Sequence, residues 1–246
     1  MMTVNFDPII FHLGPLEVRW YGLMYVIGFM VAQFLLKRLV REKYSKLPLE
    51  KIDSFVTYNP IGMFLGARLM YVFVYNFDYY QHHLNEIFSL SGIRGLSFHG
   101  AILGFVGATL LFAKRNKMAF FHLTDNIALA GTIGLFFGRM GNFINGELYG
   151  RITDVPWAMI FPEGGPMPRH PSQLYEGVGE GIILWVFLWQ MRRKVKGEGV
   201  LSFLFLIGYG VIRFIVEFFR MPDEQLGFVL FGIFSMGQIL CFLMID

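Results

Sequence analysis

A polar stretch between Gly138 and Gly150 ends one of the long apolar runs of this sequence. It contains one arginine, two asparagines and one glutamate, at Arg139, Asn142, Asn145 and Glu147. Polar and ionisable side chains at membrane depth cost free energy, so those that a membrane protein keeps usually act on a substrate. An arginine beside two amides can bind an anion through several donated hydrogen bonds. We therefore expect a polar pocket here rather than a single arginine that extends to the membrane surface.

A second set of charged side chains follows at helical spacing. Arg213, Glu217 and Arg220 are four and three residues apart, which places them on one face of a helix. One interpretation is an Arg213–Glu217 salt bridge with Arg220 directed outward, and it accounts well for Glu217. It accounts less well for two arginines, because one carboxylate cannot neutralise both. The other interpretation is a surplus of positive charge that faces a cavity and attracts an anion.

Two further charged side chains stand at or inside apolar runs. His99 lies between Gly95 and Gly100 at the start of the third run, and an imidazole titrates near neutral pH and can act as a general base. A capping or interface role for His99 is an equally good interpretation. Arg68 lies inside the second run, and we expect a structural pairing with a carboxylate such as Glu176 or Glu180.

Several other chemistries have no motif in this sequence. We find no H-E-x-x-H helix, no G-x-S-x-G elbow and no phosphate-binding P-loop. No carboxylate cluster suited to Mg²⁺ is evident, and the single cysteine, Cys241, excludes a thiolate metal site and an internal disulfide. We therefore expect no metal and no cofactor, and arginines that bind a phosphate group directly.

The composition places these side chains in a membrane protein. The 246 residues are 55% hydrophobic and 16% charged, whereas a soluble domain is about 25% charged. The net charge of +3 comes from basic residues in short loops, so it does not indicate nucleic-acid binding. We predict an all-α polytopic membrane protein with seven transmembrane helices in a single domain, 1–246. The predicted spans are 17–36, 54–75, 96–113, 121–140, 173–191, 199–219 and 228–245.

Basic residues collect in alternate loops, after the first, third and fifth spans. They are Lys37, Arg38, Arg41, Lys43, Lys46, Lys51, Lys114, Arg115, Lys117, Arg192, Arg193, Lys194 and Lys196. The positive-inside rule assigns these loops to the cytoplasm. The N-terminus then lies outside and the C-terminus inside, and the Gly- and Pro-rich segment 145–172 forms a small extracytoplasmic cap. No cleavable signal peptide is expected, so the first span stays as a helix.

Taken together, the motifs resemble the prolipoprotein diacylglyceryl transferase family over nearly the whole chain. The resemblance is carried by 11–15, 19–23, 98–100, 138–150, 169–176, 213–220, 222–223 and 236–238. The stretch from Gly138 to Gly150 is long and irregular, which makes a chance match implausible. One departure is Ala101, where the family usually has a second glycine after the histidine.

The resemblance implies a seven-span enzyme of the bacterial cytoplasmic membrane that uses no metal or nucleotide. Such enzymes move the diacylglyceryl group of phosphatidylglycerol to the lipobox cysteine of a preprolipoprotein. A thioether forms and glycerol phosphate leaves. The partners are therefore phosphatidylglycerol, the signal peptide of a preprolipoprotein and the lipid bilayer.

The resemblance also gives the polar residues their expected roles. His99 is the candidate base for the thiol, and Arg139 and Arg213 are the candidates to bind the lipid phosphate and stabilise the departing charge. Arg220 is a further phosphate ligand. The amides bind the headgroup, Tyr21 either binds it or belongs to an aromatic belt, and the two glutamates hold the arginines. These remaining candidates are Asn142, Asn145, Glu147, Glu217 and, as a supporting residue, Gly150.

Two other classes of function use the same residues. An organic-anion transporter or channel can select its solute with buried arginines and is the main alternative. A membrane phospholipid hydrolase is a third reading, although no serine or metal centre for it is visible.

Overall fold

The computed structural model describes residues 2–14, 16–87, 95–221, 228–230, 234, 235 and 238. The chain divides into two compact units, one of residues 1–35 with 125–246 and the other of residues 36–124. The helices are α1 (Trp20–Arg41), α2 (Ile52–Met70), α3 (Phe77–Tyr80), α4 (Phe98–Asn116), α5 (Phe120–Asn145), α6 (Ser172–Glu176), α7 (Leu184–Met191) and α8 (Val200–Val216). Segments Tyr71–Tyr75 and Gly177–Ile183 are π-helical, and Leu49–Lys51, Leu84–Glu86 and Pro162–Gly164 are 3₁₀ turns. The strands are β1 (Met2–Thr3), β2 (Ile9–Leu13), β3 (Leu16–Arg19), β4 (Met159–Ile160), β5 (Phe228–Leu230) and β6 (Phe234–Ser235).

The prediction of a mostly helical chain is confirmed, and each of the first six predicted spans overlaps helical residues, although the first begins within β3 and the sixth extends past the end of α8. Within the described residues, α1 and α5 have the length and apolar composition that crossing a bilayer requires, and α8 is a shorter apolar helix. Most of the seventh predicted span, 228–245, lies outside the described residues. Its described part contains the antiparallel pair β5–β6 where we predicted a helix. Aromatic and β-branched residues such as Phe228 and Val229 favour strands, which periodicity in a short apolar run cannot distinguish from helix.

In the unit of residues 36–124, glycines bring α2 and α4 into backbone contact. A methyl group on Gly66 would lie 2.7 Å from the Cα of Gly104. Gly62 and Gly100 face the same interface. Small residues at this four-residue spacing let two helices approach closely.

Arg68, near the end of α2, is bound to main-chain oxygens. Its guanidinium donates to the carbonyl of Ile87 at 2.7 Å, to that of Glu86 at 3.0 Å and to that of Gly95 at 3.3 Å. It also donates to the hydroxyl of Tyr80 at 3.1 Å. Arg68 has the structural role that we expect. The predicted pairing with Glu176 or Glu180 is wrong, because the guanidinium donates to carbonyls of its own unit. Both carboxylates lie beside Arg139 and Arg213 instead.

In the other unit, α5 contacts α1, the segment Gly177–Ile183 and the start of α8. Its Gly134 packs against Gly28 of α1, and a methyl group on Gly141 would lie 2.8 Å from Cδ2 of Tyr21. Strand β1 pairs in parallel with β4, and the hairpin β2–β3 leads into α1. Asp125 near the start of α5 accepts hydrogen bonds from the backbone nitrogens of Gly199 and Ser202, at 2.7 and 2.8 Å, and so caps the N-terminus of α8.

The segment between α5 and α6 is an ordered loop. Arg169 forms backbone bridges with Ile152 and Met159, and its guanidinium donates to the carbonyl of Gly164 at 2.9 Å. The same guanidinium lies over the ring of Tyr149, 4.9 Å from the centroid. These contacts close the loop on itself and fix its ends beside α5 and α6.

Candidate active site

Three arginines and three glutamates meet where α5, α6 and the end of α8 come together. We call this group the Arg–Glu cluster; its members are Arg139, Glu176, Glu180, Arg213, Glu217 and Arg220. Nε of Arg139 lies 2.7 Å from Oε2 of Glu176, and Nη1 of Arg213 lies 2.9 Å from Oε1 of the same carboxylate. Two arginines from separate helices therefore converge on one carboxylate.

The three residues predicted to share one face of α8 and its C-terminal end all belong to the Arg–Glu cluster. Nη2 of Arg213 lies 2.9 Å from Oε2 of Glu217, and Arg220 lies 3.7 Å from the same oxygen. Arg220 also approaches Glu176, at 3.6 Å. Glu217 therefore holds Arg213 as expected. The prediction of a surplus of positive charge is wrong for the cluster as a whole, because Glu176 and Glu180 contribute two further carboxylates. These lie on a neighbouring helical segment, which the spacing of residues along α8 cannot indicate.

Close packing of α5 against the π-helical segment brings Arg139 to Glu176. A methyl group on Gly181 would lie 2.6 Å from the backbone nitrogen of Phe136, and one on Gly177 would lie 3.4 Å from Cβ of Arg139. The side chains of Glu176 and Glu180 are 0% exposed, whereas that of Arg139 is 21% exposed. The cluster thus has fully buried carboxylates beneath a partly accessible guanidinium.

The two asparagines meet Glu147 just after α5. Nδ2 of Asn142 donates to Oε1 of Glu147 at 2.8 Å, and Nδ2 of Asn145 donates to the same oxygen at 3.3 Å. The prediction that Glu147 holds an arginine is wrong within the described residues: it orients two amides instead. Oδ1 of Asn145 is buried with no hydrogen-bond partner among the described residues, so an acceptor remains for a donor group.

Ser172 and Gln173, which the sequence did not single out as site residues, hold the turn after α5 in place. Gly146 and Leu148 have φ of 70° and 57°, a left-handed conformation that costs free energy for leucine. Oγ of Ser172 donates to the carbonyl of Leu148 at 3.0 Å, and Nε2 of Gln173 donates to that of Glu147 at 2.7 Å. Ser172 and Gln173 belong to the motif 169–176, and their place in that motif was the one sequence signal that could have indicated this role.

Gly150 occupies a junction of three chain segments. Its nitrogen donates to the carbonyl of His170 at 2.9 Å, and it forms a backbone bridge with Arg220. A methyl group on Gly150 would lie 2.7 Å from the carbonyl oxygen of His170. The close approach therefore requires glycine and connects the loop to the cluster residue Arg220.

The side chains of His170, Tyr175 and Phe219 pack together beside this junction. Burial lowers the pKa of His170 below its ordinary value, which keeps the imidazole neutral near pH 7. Its Nδ1 lies 3.1 Å from the hydroxyl of Tyr175, which also accepts a hydrogen bond from Trp157 at 2.6 Å. His170 is therefore a packing residue rather than a charged ligand.

Tyr21 lies on α1 next to the polar end of α5. Its ring contacts Gly141, and its hydroxyl is 3.0 Å from the hydroxyl of Tyr25. The sequence did not single out Tyr25. The contact with Gly141 places Tyr21 beside the helical turn that carries Arg139 and Asn142.

His99 belongs to the unit of residues 36–124, and Arg139 and Arg213 belong to the other unit. His99 stands in the first turn of α4, where Oγ of Ser97 caps the helix by accepting a hydrogen bond from the nitrogen of Gly100 at 3.2 Å. Its imidazole is exposed, with Nδ1 3.4 Å from the hydroxyl of Tyr75. Because Ser97 supplies the cap, the imidazole is not needed for that purpose.

The described residues contain no group of three or more histidine, cysteine, aspartate or glutamate side chains arranged to hold a metal ion. In the first unit, the predicted site residues offer guanidiniums, amides and a phenol as hydrogen-bond donors. Such donors bind and stabilise an oxyanion, and guanidinium–phosphate contacts are among the strongest charge-assisted hydrogen bonds.

Comparison with known proteins identifies similar chains. Residues 8–246 match the family model described as prolipoprotein diacylglyceryl transferase. Three relatives carry the name phosphatidylglycerol–prolipoprotein diacylglyceryl transferase. The relative from Geobacter sulfurreducens is 48% identical over 98% of this chain and 92% of its own length. The relative from Nitratidesulfovibrio vulgaris is 48% identical over 96% and 89%, and the one from Vibrio vulnificus is 49% identical over 96% and 86%.

Proposed function

The chain belongs to the prolipoprotein diacylglyceryl transferase family, and we propose on that basis that it transfers the diacylglyceryl group of phosphatidylglycerol to a cysteine thiol of a preprolipoprotein. It is a membrane enzyme of the transferase class. The observation that carries the assignment is the identity of about half of all residues, over nearly the full length, to relatives named for this reaction. Nothing in these comparisons supports an anion transporter.

The reaction is a displacement at carbon. The cysteine sulfur forms a bond to the terminal glyceryl carbon of the diacylglyceryl group, and the bond from that carbon to the phosphate oxygen breaks. The bonding electrons leave with the oxygen, so glycerol phosphate departs with additional negative charge. A free thiol has a pKa of about 8.5, so its proton must pass to a base for efficient attack near neutral pH.

Arg139 and Arg213 are the residues that bind the lipid phosphate in this proposal, with Arg220 beside them. Their convergence on Glu176 supports the assignment, because it holds two guanidiniums close enough to contact one phosphate group. Donors that are already oriented toward the developing charge stabilise the transition state without reorganisation. Glu217 keeps Arg213 in this orientation.

The headgroup lies against the amides in this proposal. Asn142 and Asn145 are oriented by Glu147, and Tyr21 stands on the adjacent helix. The buried free acceptor of Asn145 suits a glycerol hydroxyl. Gly150 supports the site through the bridge that fixes Arg220.

His99 is the base that accepts the thiol proton. Its exposed imidazole and its contact with the hydroxyl of Tyr75 support this assignment, since the ring is accessible and partly oriented. The acceptor is the lipobox cysteine that follows the signal helix of the preprolipoprotein.

We place the protein in the bacterial inner membrane with seven spans, the N-terminus outside and the C-terminus in the cytoplasm. Residues 145–172 form the extracytoplasmic cap, and the whole chain is one integral membrane domain. The alternation of basic loops in the sequence supports this orientation.

Mass spectrometry tests the reaction directly. A lipobox peptide is incubated with phosphatidylglycerol and the purified protein in detergent, where no gradient can drive transport. We expect a mass increase of one diacylglyceryl group on the cysteine peptide and none on a matched peptide with serine at that position. Release of diacylglycerol or fatty acid without peptide labelling would instead indicate a hydrolase, and solute movement across sealed vesicles without labelling would indicate a transporter.

A further inference from the structure

The carboxylates of the Arg–Glu cluster make contacts of two kinds. Glu176 and Glu217 lie 2.7 to 2.9 Å from their guanidiniums. Glu180 lies 3.7 Å from Arg213 and 3.8 Å from Arg139. Glu176 and Glu217 therefore form short ion pairs, one of which, between Arg213 and Oε1 of Glu176, is also a hydrogen bond. The contacts of Glu180 exceed hydrogen-bond length.

Glu180 is also unusual in its surroundings. Its side chain is 0% exposed, and neither carboxylate oxygen has a hydrogen-bond partner among the described residues. A buried carboxylate without hydrogen bonds is costly, because the charge has lost water without a directional replacement. Arg139 and Arg213 do not need Glu180 for orientation, since each already has a short pair with Glu176.

The position of Glu180 gives its charge an effect on both arginines at once. Its two long contacts reach the same guanidiniums to which the proposed function assigns the lipid phosphate. Two anions near one pair of cations compete for them by Coulomb interaction, which acts at these distances without hydrogen-bond geometry.

We propose that Glu180 is an internal counter-anion that weakens phosphate binding by Arg139 and Arg213 and so promotes departure of the phosphate-bearing product. This inference rests on the proposed function. Glu180 is a positioning residue that determines affinity through the two arginines, and it touches no reacting atom. The cluster has three guanidiniums and three carboxylates, so it is formally neutral when all are ionised, and neutralising Glu180 leaves one net positive charge.

Binding of glycerol phosphate to the purified full-length protein in an uncharged detergent provides the test, measured by isothermal titration calorimetry. At alkaline pH, where the Glu180 carboxyl is ionised, we expect Glu180→Gln to bind glycerol phosphate about 10- to 100-fold more tightly than the unmodified protein, because one negative charge at this separation is removed. KM for phosphatidylglycerol and kcat should both fall, because ground-state binding strengthens and product leaves slowly. Glu180→Met should behave in the same way, and Glu180→Asp, which keeps the charge, should bind close to the unmodified level.

Two control variants separate loss of charge from loss of structure. Glu176→Gln raises the charge of the cluster by the same amount, but it also removes the short pairs that orient Arg139 and Arg213, so kcat should fall far more than it does in Glu180→Gln. Glu163→Gln removes an exposed carboxylate outside the cluster and should change neither kcat nor phosphate binding.

Unchanged or weaker phosphate binding in both neutral variants would overturn the inference. Failure of both variants to fold would overturn it as well, because a residue whose role is to compete with an anion is dispensable for folding. Failure of the proposed function has a different signature: the unmodified protein would bind glycerol phosphate but would not label a lipobox peptide.

Discussion

At the scale of single residues, the central feature is the carboxylate of Glu176 between Arg139 and Arg213. Two guanidiniums repel each other, and a fully buried carboxylate that pairs with both offsets the repulsion and fixes their separation. The side chain of Arg139 is 21% exposed and that of Arg213 is 11% exposed, so Arg139 is the more accessible of the two to a phosphate. Removing either arginine leaves part of a buried carboxylate unpaired, so stability must be measured together with activity.

Arg139→Ala and Arg213→Ala should each lower kcat by about 100- to 1,000-fold, the usual cost of removing one oriented donor to developing charge. Arg139→Lys and Arg213→Lys should recover part of the loss, because lysine keeps the charge but not the forked donor geometry. The peptide-labelling assay gives the rates, and thermal unfolding in detergent checks that the variants fold. Near-normal turnover in a folded alanine variant would remove that arginine from the phosphate site.

The assignment of His99 as base predicts a specific pH dependence. His99→Gln should lower the rate most below the thiol pKa of about 8.5, where the thiolate is scarce, and less at higher pH, where the thiol ionises unaided. The measurement is the pH profile of kcat/KM for the peptide between about pH 6 and pH 9. An equal loss at every pH would assign His99 a structural role, and Tyr75→Phe is the matched variant for its hydrogen bond.

The sequence could predict which polar residues belong to the site, but not which of them form ion pairs with each other. Arg213, Glu217 and Arg220 do share a face, as their spacing indicates. Glu176 and Glu180 are also visible as carboxylates four residues apart in an apolar run, but spacing within one helix cannot identify a partner on another. For the same reason the sequence suggests them as partners of Arg68, whereas the donors of Arg68 reach carbonyls of its own unit.

At the scale of elements, glycine determines how close the helices of the site can lie. Gly181 of the π-helical segment meets the backbone of α5 at Phe136, one turn before Arg139. A larger residue there must push α5 away, and Arg139 then moves away from Glu176. The four-residue spacing of Gly177 and Gly181 is typical of close helix packing. It does not indicate that the contact sets an ion-pair distance or that the segment is π-helical.

Gly181→Ala should therefore reduce both stability and activity. The added methyl group would lie 2.6 Å from the nitrogen of Phe136, so we expect an overpacking cost of about 1–3 kcal/mol in unfolding free energy. Thermal unfolding and peptide labelling provide the two measurements. Gly107→Ala is the matched control, because a methyl group on Gly107 of α4 would meet nothing within 4 Å. Full activity in Gly181→Ala would separate the α5 contact from the arrangement of Arg139.

At the scale of the whole molecule, apolar runs of about 20 residues predicted where most of the helices lie. The turn at Gly146–Leu148 and the short strands could not be predicted in this way, since they depend on contacts with distant segments such as Ser172 and Gln173. Orientation in the membrane is a prediction from charge alone and requires its own experiment.

Single introduced cysteines test that orientation in intact cells. In a Cys241→Ser background, Asn85→Cys and Asp154→Cys lie in exposed segments that we assign to the outside, and Glu50→Cys and Lys194→Cys lie in exposed segments that we assign to the cytoplasm. A membrane-impermeant thiol reagent should label the first pair in intact spheroplasts and the second pair after permeabilisation. The physical basis is the cost of moving basic loops across the membrane, which retains them in the cytoplasm. The reverse pattern would place the Arg–Glu cluster nearer the cytoplasmic leaflet, where an exported lipobox cysteine could not reach it, so the same experiment also tests whether the proposed reaction takes place at the outer leaflet.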